Sequence, residues 1–97
     1  MPKFRSLVFY KDYFSQFYES LTPKVQKKVL WTLRVIEDLE RIPDTYFKHL
    51  KNSDGIYEIR VSSGGDIYRI FCFFDQGNVV VVGHGFKKKT QKRPSVK

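Results

Sequence analysis

The sequence contains little of what several common kinds of functional site require. Its one cysteine and two histidines lack the spacing of metal ligands, which argues against a zinc site and excludes a disulfide framework. No glycine-rich phosphate-binding loop is present, because Gly64 and Gly65 follow two serines in a pattern typical of a turn. No apolar run is long enough for a signal peptide or a membrane span. We therefore expect a cytoplasmic protein that uses no metal and no other cofactor and is not inserted in a membrane.

Acidic residues become scarce toward the C-terminal end. The net charge is +8, and residues 1–47 hold eight basic and six acidic side chains, whereas residues 48–97 hold ten basic and four acidic ones. No acidic residue follows Asp75, but six basic residues do. Such asymmetry predicts a polyanionic partner for the C-terminal half. Nucleic acid, an anionic membrane and an acidic protein all fit this charge.

The composition is that of a globular protein. Apolar residues make up 41% of the 97 residues and aromatic residues 16%, which is enough for one hydrophobic core in a chain of this length. We see no internal repeat and no linker. The sequence therefore predicts a single domain over residues 1–97.

Helical and strand patterns follow each other in a simple order. An apolar strand over residues 3–10 precedes a short helix from Asp12, and Thr22 with Pro23 marks the start of a longer helix that ends at about Arg41. A connection over residues 43–55 leads into three strands at hairpin spacing. These strands are expected at residues 56–61, 67–74 and 79–86. The order predicts an α+β fold, with a two-helix hairpin on one face of a mainly antiparallel sheet of about four strands, and a short basic C-terminal tail.

Alternation along the strands assigns side chains to two faces. The face expected to meet the helices is apolar: Tyr57, Ile59, Val61, Tyr68, Ile70, Cys72 and Phe74. The longer helix should meet it with a stripe formed by Val25, Val29, Leu33, Ile36 and Leu39. Four consecutive valines from Val79 to Val82 predict an interior strand that is buried on both faces. The second face of the sheet is aromatic and basic, with Glu58, Arg60, Arg69, Phe71 and Phe73.

Two arginines are expected to face each other across this second face. If residues 62–67 form the loop of a hairpin, Val61 pairs with Tyr68 and Arg60 lies directly opposite Arg69. Two cations so placed repel each other and destabilise the pairing, so loss of Arg69 should raise stability. A sequence that keeps the pair suggests a bound phosphate. The alternative is a surface pair that Glu58 neutralises.

The run from Leu50 to Pro94 resembles the RelE/HigB toxins of bacterial toxin–antitoxin systems, and most closely their phage-derived HigB-like branch. The resemblance rests on three elements in a fixed order, and the two preceding helices fit the same pattern, so that it covers nearly the whole chain. These elements are Tyr57-Glu58-Ile59-Arg60, then Tyr68-Arg69-Ile70-Phe71 after a glycine-rich turn, then Gly85-Phe86-Lys87-Lys88-Lys89-Thr90-Gln91.

The resemblance implies an mRNA endonuclease that acts on the ribosome, with an antitoxin as partner, expected to be a helix-turn-helix protein encoded alongside. It places Arg60 and Arg69 in the active site and assigns the basic cluster after the last strand to Lys87, Lys88 and Lys89. Lys48 and Lys51 correspond loosely to basic residues in a family loop. Some members carry a later tyrosine near the scissile phosphate, and no tyrosine follows Tyr68 here.

Several side chains are candidates for the chemistry of RNA cleavage. Guanidinium groups match phosphate oxygens and stabilise charge on the transition state, which suits Arg60 and Arg69. The candidates for proton transfer are Glu58, His84 and Lys88, and Phe86 is a candidate stacking platform. The wider RNA contacts are assigned to Lys48, Lys51, Lys87, Lys89 and Lys92.

Each of these assignments has a plainer alternative. Glu58 could simply pair with an arginine, His84 could be hydrogen-bonded scaffold between two glycines, and the lysine run could be a solvated tail. His49 is expected to be a loop residue without a role. For the whole protein, the alternatives are a gyrase inhibitor of the ParE type, without nuclease activity, and a nucleic-acid-binding module without chemistry.

Overall fold

Two helices pack on one face of a five-stranded sheet in a computed structural model that describes residues 3–88. The elements are β1 (Ser6–Phe9), α1 (Tyr13–Glu19), α2 (Pro23–Asp38), β2 (Phe47–His49), β3 (Ile56–Ser63), β4 (Asp66–Phe74) and β5 (Val79–Lys88). This confirms the predicted α+β class. Lys89, Lys92 and the rest of the predicted basic tail lie outside the described residues.

The strand order is β1-β5-β4-β3-β2, with β1 parallel to β5 and all other neighbours antiparallel. The sheet is thus mainly antiparallel, as predicted, but it has one strand more than expected. The addition is β2, in which Phe47 pairs with Ile59 and Lys48 with Glu58 at the edge of the sheet. The sequence does not reveal β2, because three residues are too few to show alternation and the pairing is set by β3.

Side-chain hydrogen bonds to the backbone mark both ends of α2. The hydroxyl of Thr22 accepts a hydrogen bond from the backbone N–H of Val25 at 3.5 Å, and Pro23 occupies the first turn, as predicted. The helix ends at Asp38 instead of Arg41. The Arg5 guanidinium explains this, because it donates to the carbonyl oxygens of Ile36, Leu39 and Glu40 at 3.1, 2.6 and 2.8 Å. Leu39 is consequently extended and 43% exposed, so its assignment to the buried stripe was wrong.

The core lies between the helices and one face of the sheet. The predicted stripe of α2 is otherwise buried, and so is the predicted apolar face, with Tyr57 and Phe74 partly buried against it. β5 lies between β1 and β4, so the interior position of the valine run is confirmed. Only Val80 and Val82 are fully buried, whereas Val79 and Val81 are half-buried. Burial on both faces was wrong, because in residues 3–88 the helices cover only one face.

The hairpin of β3 and β4 has the predicted register but a shorter loop. Val61 pairs with Tyr68 and Arg60 with Arg69. The pairing continues to Ser63 and Asp66, so that only two glycines form the turn, with φ angles of +60° and +85°. Turns of this kind need positive φ at both central residues and match the twist of the strands. The predicted loop of residues 62–67 was therefore too long.

The buried thiol of Cys72 gives a prediction about stability at alkaline pH. Burial raises the pKa of the thiol from 9.0 to about 12, and the thiol donates a 3.6 Å hydrogen bond to the Tyr57 carbonyl oxygen. Above pH 9.0 the unfolded chain loses this proton and the folded chain keeps it, so folding stability should fall by up to about 1.4 kcal/mol per pH unit. The stability that Cys72 adds is complete below this range and declines as the pH rises through it.

Comparison with Cys72→Ala isolates this effect from the titration of lysines and tyrosines. We expect the difference in unfolding free energy between the native protein and Cys72→Ala to shrink between about pH 9 and about pH 11. Denaturant unfolding at a series of pH values measures it. A difference that stays constant over that range would contradict the assignment.

Candidate nucleic-acid interface

The sheet face opposite the helices places the predicted site residues in adjacent rows. In one row Arg60, Arg69 and Phe86 lie side by side on β3, β4 and β5. In the next row Glu58 lies between Lys48 on β2 and Phe71 on β4. Since alternate residues of a strand point to opposite faces, all these side chains share one face, which we call the arginine face. Four strands, β2 to β5, thus contribute polar and aromatic side chains to the arginine face.

Glu58 binds both arginines of the arginine face. Its Oε2 atom lies 3.2 Å from Nε of Arg60 and 3.2 Å from Nε of Arg69. The carboxylate is buried, with 6% of the side chain exposed, whereas the arginine side chains are 27% and 25% exposed. One anion between two cations offsets the repulsion that the sequence predicted. The cluster still carries a net charge of +1 and so attracts a further anion.

The free ends of the two guanidinium groups are available for a ligand. Both arginines approach Glu58 through Nε, and neither donates a side-chain hydrogen bond to another residue in the part of the chain described. The Nε of Arg69 is buried and close to the carboxylate, but the angle is unsuitable for a hydrogen bond. The terminal nitrogens form a planar fork that matches two phosphate oxygens. The carboxylate therefore orients the pair and leaves its donors for a phosphate.

A shallow pocket of about 220 Å³ opens over this cluster. It is lined by Lys48, His49, Leu50, Lys51, Glu58, Arg60 and Arg69. The structure thus brings the two predicted lysines of the 43–55 connection to the arginines. His49 also lines the pocket. It belongs to β2 and contacts the Tyr57 ring edge-on, with centroids 5.1 Å apart, so its assignment to a loop was wrong.

Two aromatic rings border the arginines. Phe71 and Phe86 have centroids 5.3 Å apart and lie tilted against each other, and Phe86 is directly opposite Arg69. Phe73, farther along β4, is 43% exposed. An open sheet face with exposed rings next to cations can stack bases and bind the phosphates between them. The predicted role of Phe86 is therefore compatible with its position.

The predicted lysines of β5 lie on opposite faces. Lys88 is paired with Ile67 in the row beyond Arg69 and Phe86, and so belongs to the arginine face. Lys87 lies opposite Tyr68 on the helical side, where its Nζ is 3.4 Å from the Asp66 carboxylate. Alternation separates neighbours in a strand, so the two lysines cannot serve one site in the same way.

His84 is also separated from the arginines. It is exposed next to an irregularity in the pairing of β4 and β5, and it lines a different pocket, of about 570 Å³, together with Gln16, Ser20 and Lys87. The connection between α1 and α2 forms one wall of that pocket. The structure therefore groups Glu58, Arg60, Arg69 and Lys88, and leaves His84 outside the group.

Residues 3–88 show no cluster of three or more histidine, cysteine or acidic side chains that could hold a metal ion. In the same residues, no helix has the length and apolar character needed to cross a membrane.

The chain is thus a small α+β domain whose open sheet face presents anchored arginines, lysines and aromatic rings. The chain belongs to the family "Phage derived protein Gp49-like (DUF891)", whose sequence profile matches residues 16–97. This family is part of the RelE/HigB-type toxin superfamily and generally comprises toxins of the RNase type. A comparison with curated proteins gives no match. The predicted resemblance is confirmed for the RelE/HigB-type superfamily, and membership implies an antitoxin partner. The HigB-like branch stays a prediction.

Proposed function

We propose that the protein is a single-domain cytoplasmic toxin that cuts mRNA on the ribosome and is held inactive by an antitoxin, a helix-turn-helix protein encoded alongside. The observation that carries this proposal is the pair of arginines that Glu58 orients on the arginine face, with both guanidinium forks free in the described structure. Family membership supports a toxin of the RNase type. The basic surroundings support RNA as the ligand.

The proposed reaction is the attack of an RNA 2′-oxygen on the adjacent phosphorus. The new P–O2′ bond forms as the P–O5′ bond breaks, which leaves a 2′,3′-cyclic phosphate and a 5′-hydroxyl. The 2′-OH loses its proton, and the 5′-oxygen gains one. Arg60 and Arg69 bind the non-bridging oxygens, where negative charge grows in the transition state. Lys88, in the next row of the same face, adds positive charge and is the candidate donor of the proton to the leaving oxygen.

The shape of the site supports the proposed dependence on the ribosome. A pocket of about 220 Å³ on an open sheet does not enclose a nucleotide, so the protein alone does little to hold the 2′-oxygen in line with the breaking bond. Correct orientation is worth several orders of magnitude in rate. Glu58 is buried and bound to both arginines, which leaves few groups for proton transfer. We therefore propose that the ribosome supplies the geometry of the mRNA.

The proposed dependence on the ribosome is tested by comparing cleavage of the same mRNA when it is free and when it is bound to a ribosome. We expect rapid cleavage when the mRNA is bound to a programmed ribosome, and little or none when the same mRNA is free. Primer extension measures the cut sites, and Arg69→Ala protein serves as the inactive control. Equal cleavage of free and ribosome-bound mRNA would reject the dependence on the ribosome.

Whether protein synthesis or DNA synthesis stops first in the cell distinguishes the proposed nuclease from the alternative functions. After induced expression, incorporation of labelled methionine should stop before incorporation of labelled thymidine. If thymidine incorporation stops first, the protein is a gyrase inhibitor of the ParE type. If neither stops and RNA is bound but intact, the protein is a nucleic-acid-binding module.

A further inference from the structure

A second cluster of cations surrounds an exposed tryptophan on α2, away from the arginine face. Lys24, Lys27 and Lys28 occupy the first turns of the helix, and Trp31 follows one turn later. These lysines form no salt bridge with any residue in 3–88. The side chain of Trp31 is 48% exposed, although tryptophan is the largest apolar residue. Neither feature is explained by the packing of the core.

The position of these lysines is unfavourable for the helix itself. The N-terminal end of a helix carries the positive end of its dipole, which favours acidic residues, but the first turn of α2 contains none. Lys24 is also three and four residues from Lys27 and Lys28, a spacing at which like charges repel. The cations therefore lower the stability of α2 in the free protein. A bound polyanion would remove both penalties.

A groove beside this cluster has room for a ligand. It has a volume of about 590 Å³ and lies between α2 and the turn of the β3–β4 hairpin, with Lys24, Lys27, Lys28, Trp31, Ser62, Ser63 and Gly64 as its lining. We call it the indole groove. Three cations, the hydroxyl-bearing hairpin turn and one aromatic ring are the donors and the stacking surface that a nucleic-acid strand uses. The groove shares no lining residue with the pocket of the arginine face.

The tryptophan ring is held in place by its neighbours. The Lys28 ammonium lies 5.4 Å from the ring centroid, and the Tyr46 ring contacts the indole edge-on with centroids 5.4 Å apart. A ring that is fixed before binding loses little conformational freedom when a base stacks on it. Stacking on an aromatic side chain is typical of unpaired RNA bases.

We propose that the indole groove binds a single-stranded stretch of RNA other than the strand being cut, which on the proposed function is RNA of the ribosome itself. Lys24, Lys27 and Lys28 bind phosphates, and one unpaired base stacks on Trp31. The arginine face lies on the side of the sheet away from the helices, whereas the groove lies on the helical side. A second strand explains two separate basic surfaces more simply than one strand wrapped around the sheet.

The lining of the groove favours RNA over an acidic protein segment. A protein helix would need a row of apolar contacts, but Trp31 is the only large apolar residue in the lining. Leu30, which is 51% exposed, is not part of it. The remaining groups are charged or hydroxyl-bearing and match a phosphate backbone. An acidic protein segment would therefore bind this lining less well than RNA does.

Tryptophan fluorescence gives a direct test, because Trp31 is the only tryptophan in the chain. The probe is a short unstructured RNA with 2′-O-methyl groups, which cannot be cut by its own 2′-oxygen. We expect saturable quenching of Trp31, and an affinity that falls as salt is raised. Inorganic polyphosphate and polyglutamate serve as anions without bases. Quenching by polyglutamate at lower concentration than by RNA would overturn the proposal in favour of a protein partner.

Charge reversal separates the groove from the active site. Lys24→Glu with Lys28→Glu should abolish quenching and weaken binding to vacant ribosomes at least tenfold, whereas Arg69→Ala should preserve both. Arg34→Glu with Arg41→Glu is the matched control, because it changes the net charge by the same amount and both residues are exposed and lie outside the groove. The double variant should melt at a temperature no lower than that of the native protein, since Lys24→Glu places an acidic residue in the first turn of α2, and thermal unfolding then shows that loss of binding is not due to misfolding.

Three results would overturn the proposal. The first is RNA binding, measured by anisotropy, that leaves Trp31 fluorescence unchanged. The second is a charge-reversed variant that binds vacant ribosomes as tightly as the native protein does. The third is an effect of charge reversal only when mRNA is present, which would place the mRNA in the groove. If cleavage on the ribosome is absent but RNA still quenches Trp31, the proposed nuclease function fails and the groove stands as an RNA site.

Discussion

Replacement of Arg69 by alanine is expected to abolish cleavage and toxicity while binding to the ribosome survives. Arg69 lies on β4, an interior strand, and Glu58 fixes its Nε at 3.2 Å. Loss of a positioned donor that stabilises transition-state charge typically costs on the order of 10²–10³ in rate. Loss of one phosphate contact weakens binding only modestly and lowers the salt dependence by about one unit of slope. Cleavage on programmed ribosomes and sedimentation with ribosomes measure the two effects separately.

Arg69→Lys tests whether the shape of the group matters as well as its charge. A lysine keeps the charge but lacks the fork that binds Glu58 and a phosphate at the same time. We therefore expect Arg69→Lys to be closer in activity to Arg69→Ala than to the native protein. Full activity of Arg69→Lys would indicate that the site needs only positive charge.

Lys87 and Lys88 provide a matched pair of controls. They are neighbours on β5 and carry the same charge, but only Lys88 belongs to the arginine face. Lys88→Ala should therefore reduce the cleavage rate, whereas Lys87→Ala should leave it almost unchanged. Equal effects of the two substitutions would mean that β5 contributes only diffuse charge.

A folding control accompanies the Arg69 variants. The sequence alone predicted that loss of Arg69 relieves repulsion and raises stability. With Glu58 bound to both arginines, we instead expect a change within about 1 kcal/mol, because repulsion and attraction are lost together. Thermal unfolding measures it. A folded Arg69→Ala protein that is still toxic at equal expression would remove Arg69 from the active site.

The register of the hairpin was predictable because a local signal determines it. Two glycines between apolar strands fix the turn, and the turn fixes which residues face each other. The opposition of Arg60 and Arg69 followed directly. The edge strand β2 was not predictable, since its pairing with β3 comes from the fold as a whole and not from its own three residues. The end of α2 depended in the same way on Arg5, which is distant in sequence.

The candidate site was predictable in part for similar reasons. Alternation placed Glu58 on the same face as Arg60 and Arg69, and the same rule would have separated Lys87 from Lys88. The burial of Glu58 beneath both guanidinium groups required the side-chain geometry. The indole groove required the packing of α2 against the hairpin turn, a contact between segments far apart in the chain.

Replacement of Glu58 by glutamine should destabilise the protein and reduce cleavage together. Glutamine keeps the size of the side chain but leaves Arg60 and Arg69 opposed without an anion. Breaking a buried ion pair costs about 3–5 kcal/mol when the remaining charge is fully buried. The arginines are about one quarter exposed, so we expect a smaller loss, about 1–2 kcal/mol. Denaturant unfolding measures it.

A double variant measures how strongly Glu58 is coupled to the arginines, and the pH–rate profile separates a positioning role from that of a general base. If Glu58 positions the arginines, its removal and the removal of Arg60 act on one cluster, and their effects on stability should not be additive. Glu58→Gln with Arg60→Gln should then be more stable than the sum of the single changes predicts, because one of the two opposed cations is gone. A general base would be recognised by kinetics instead, because its loss would remove the acidic limb of the pH–rate profile. A residue that only positions the arginines leaves that limb in place and lowers the rate at every pH. Since Glu58 is buried and bound to both arginines, we expect the non-additive result.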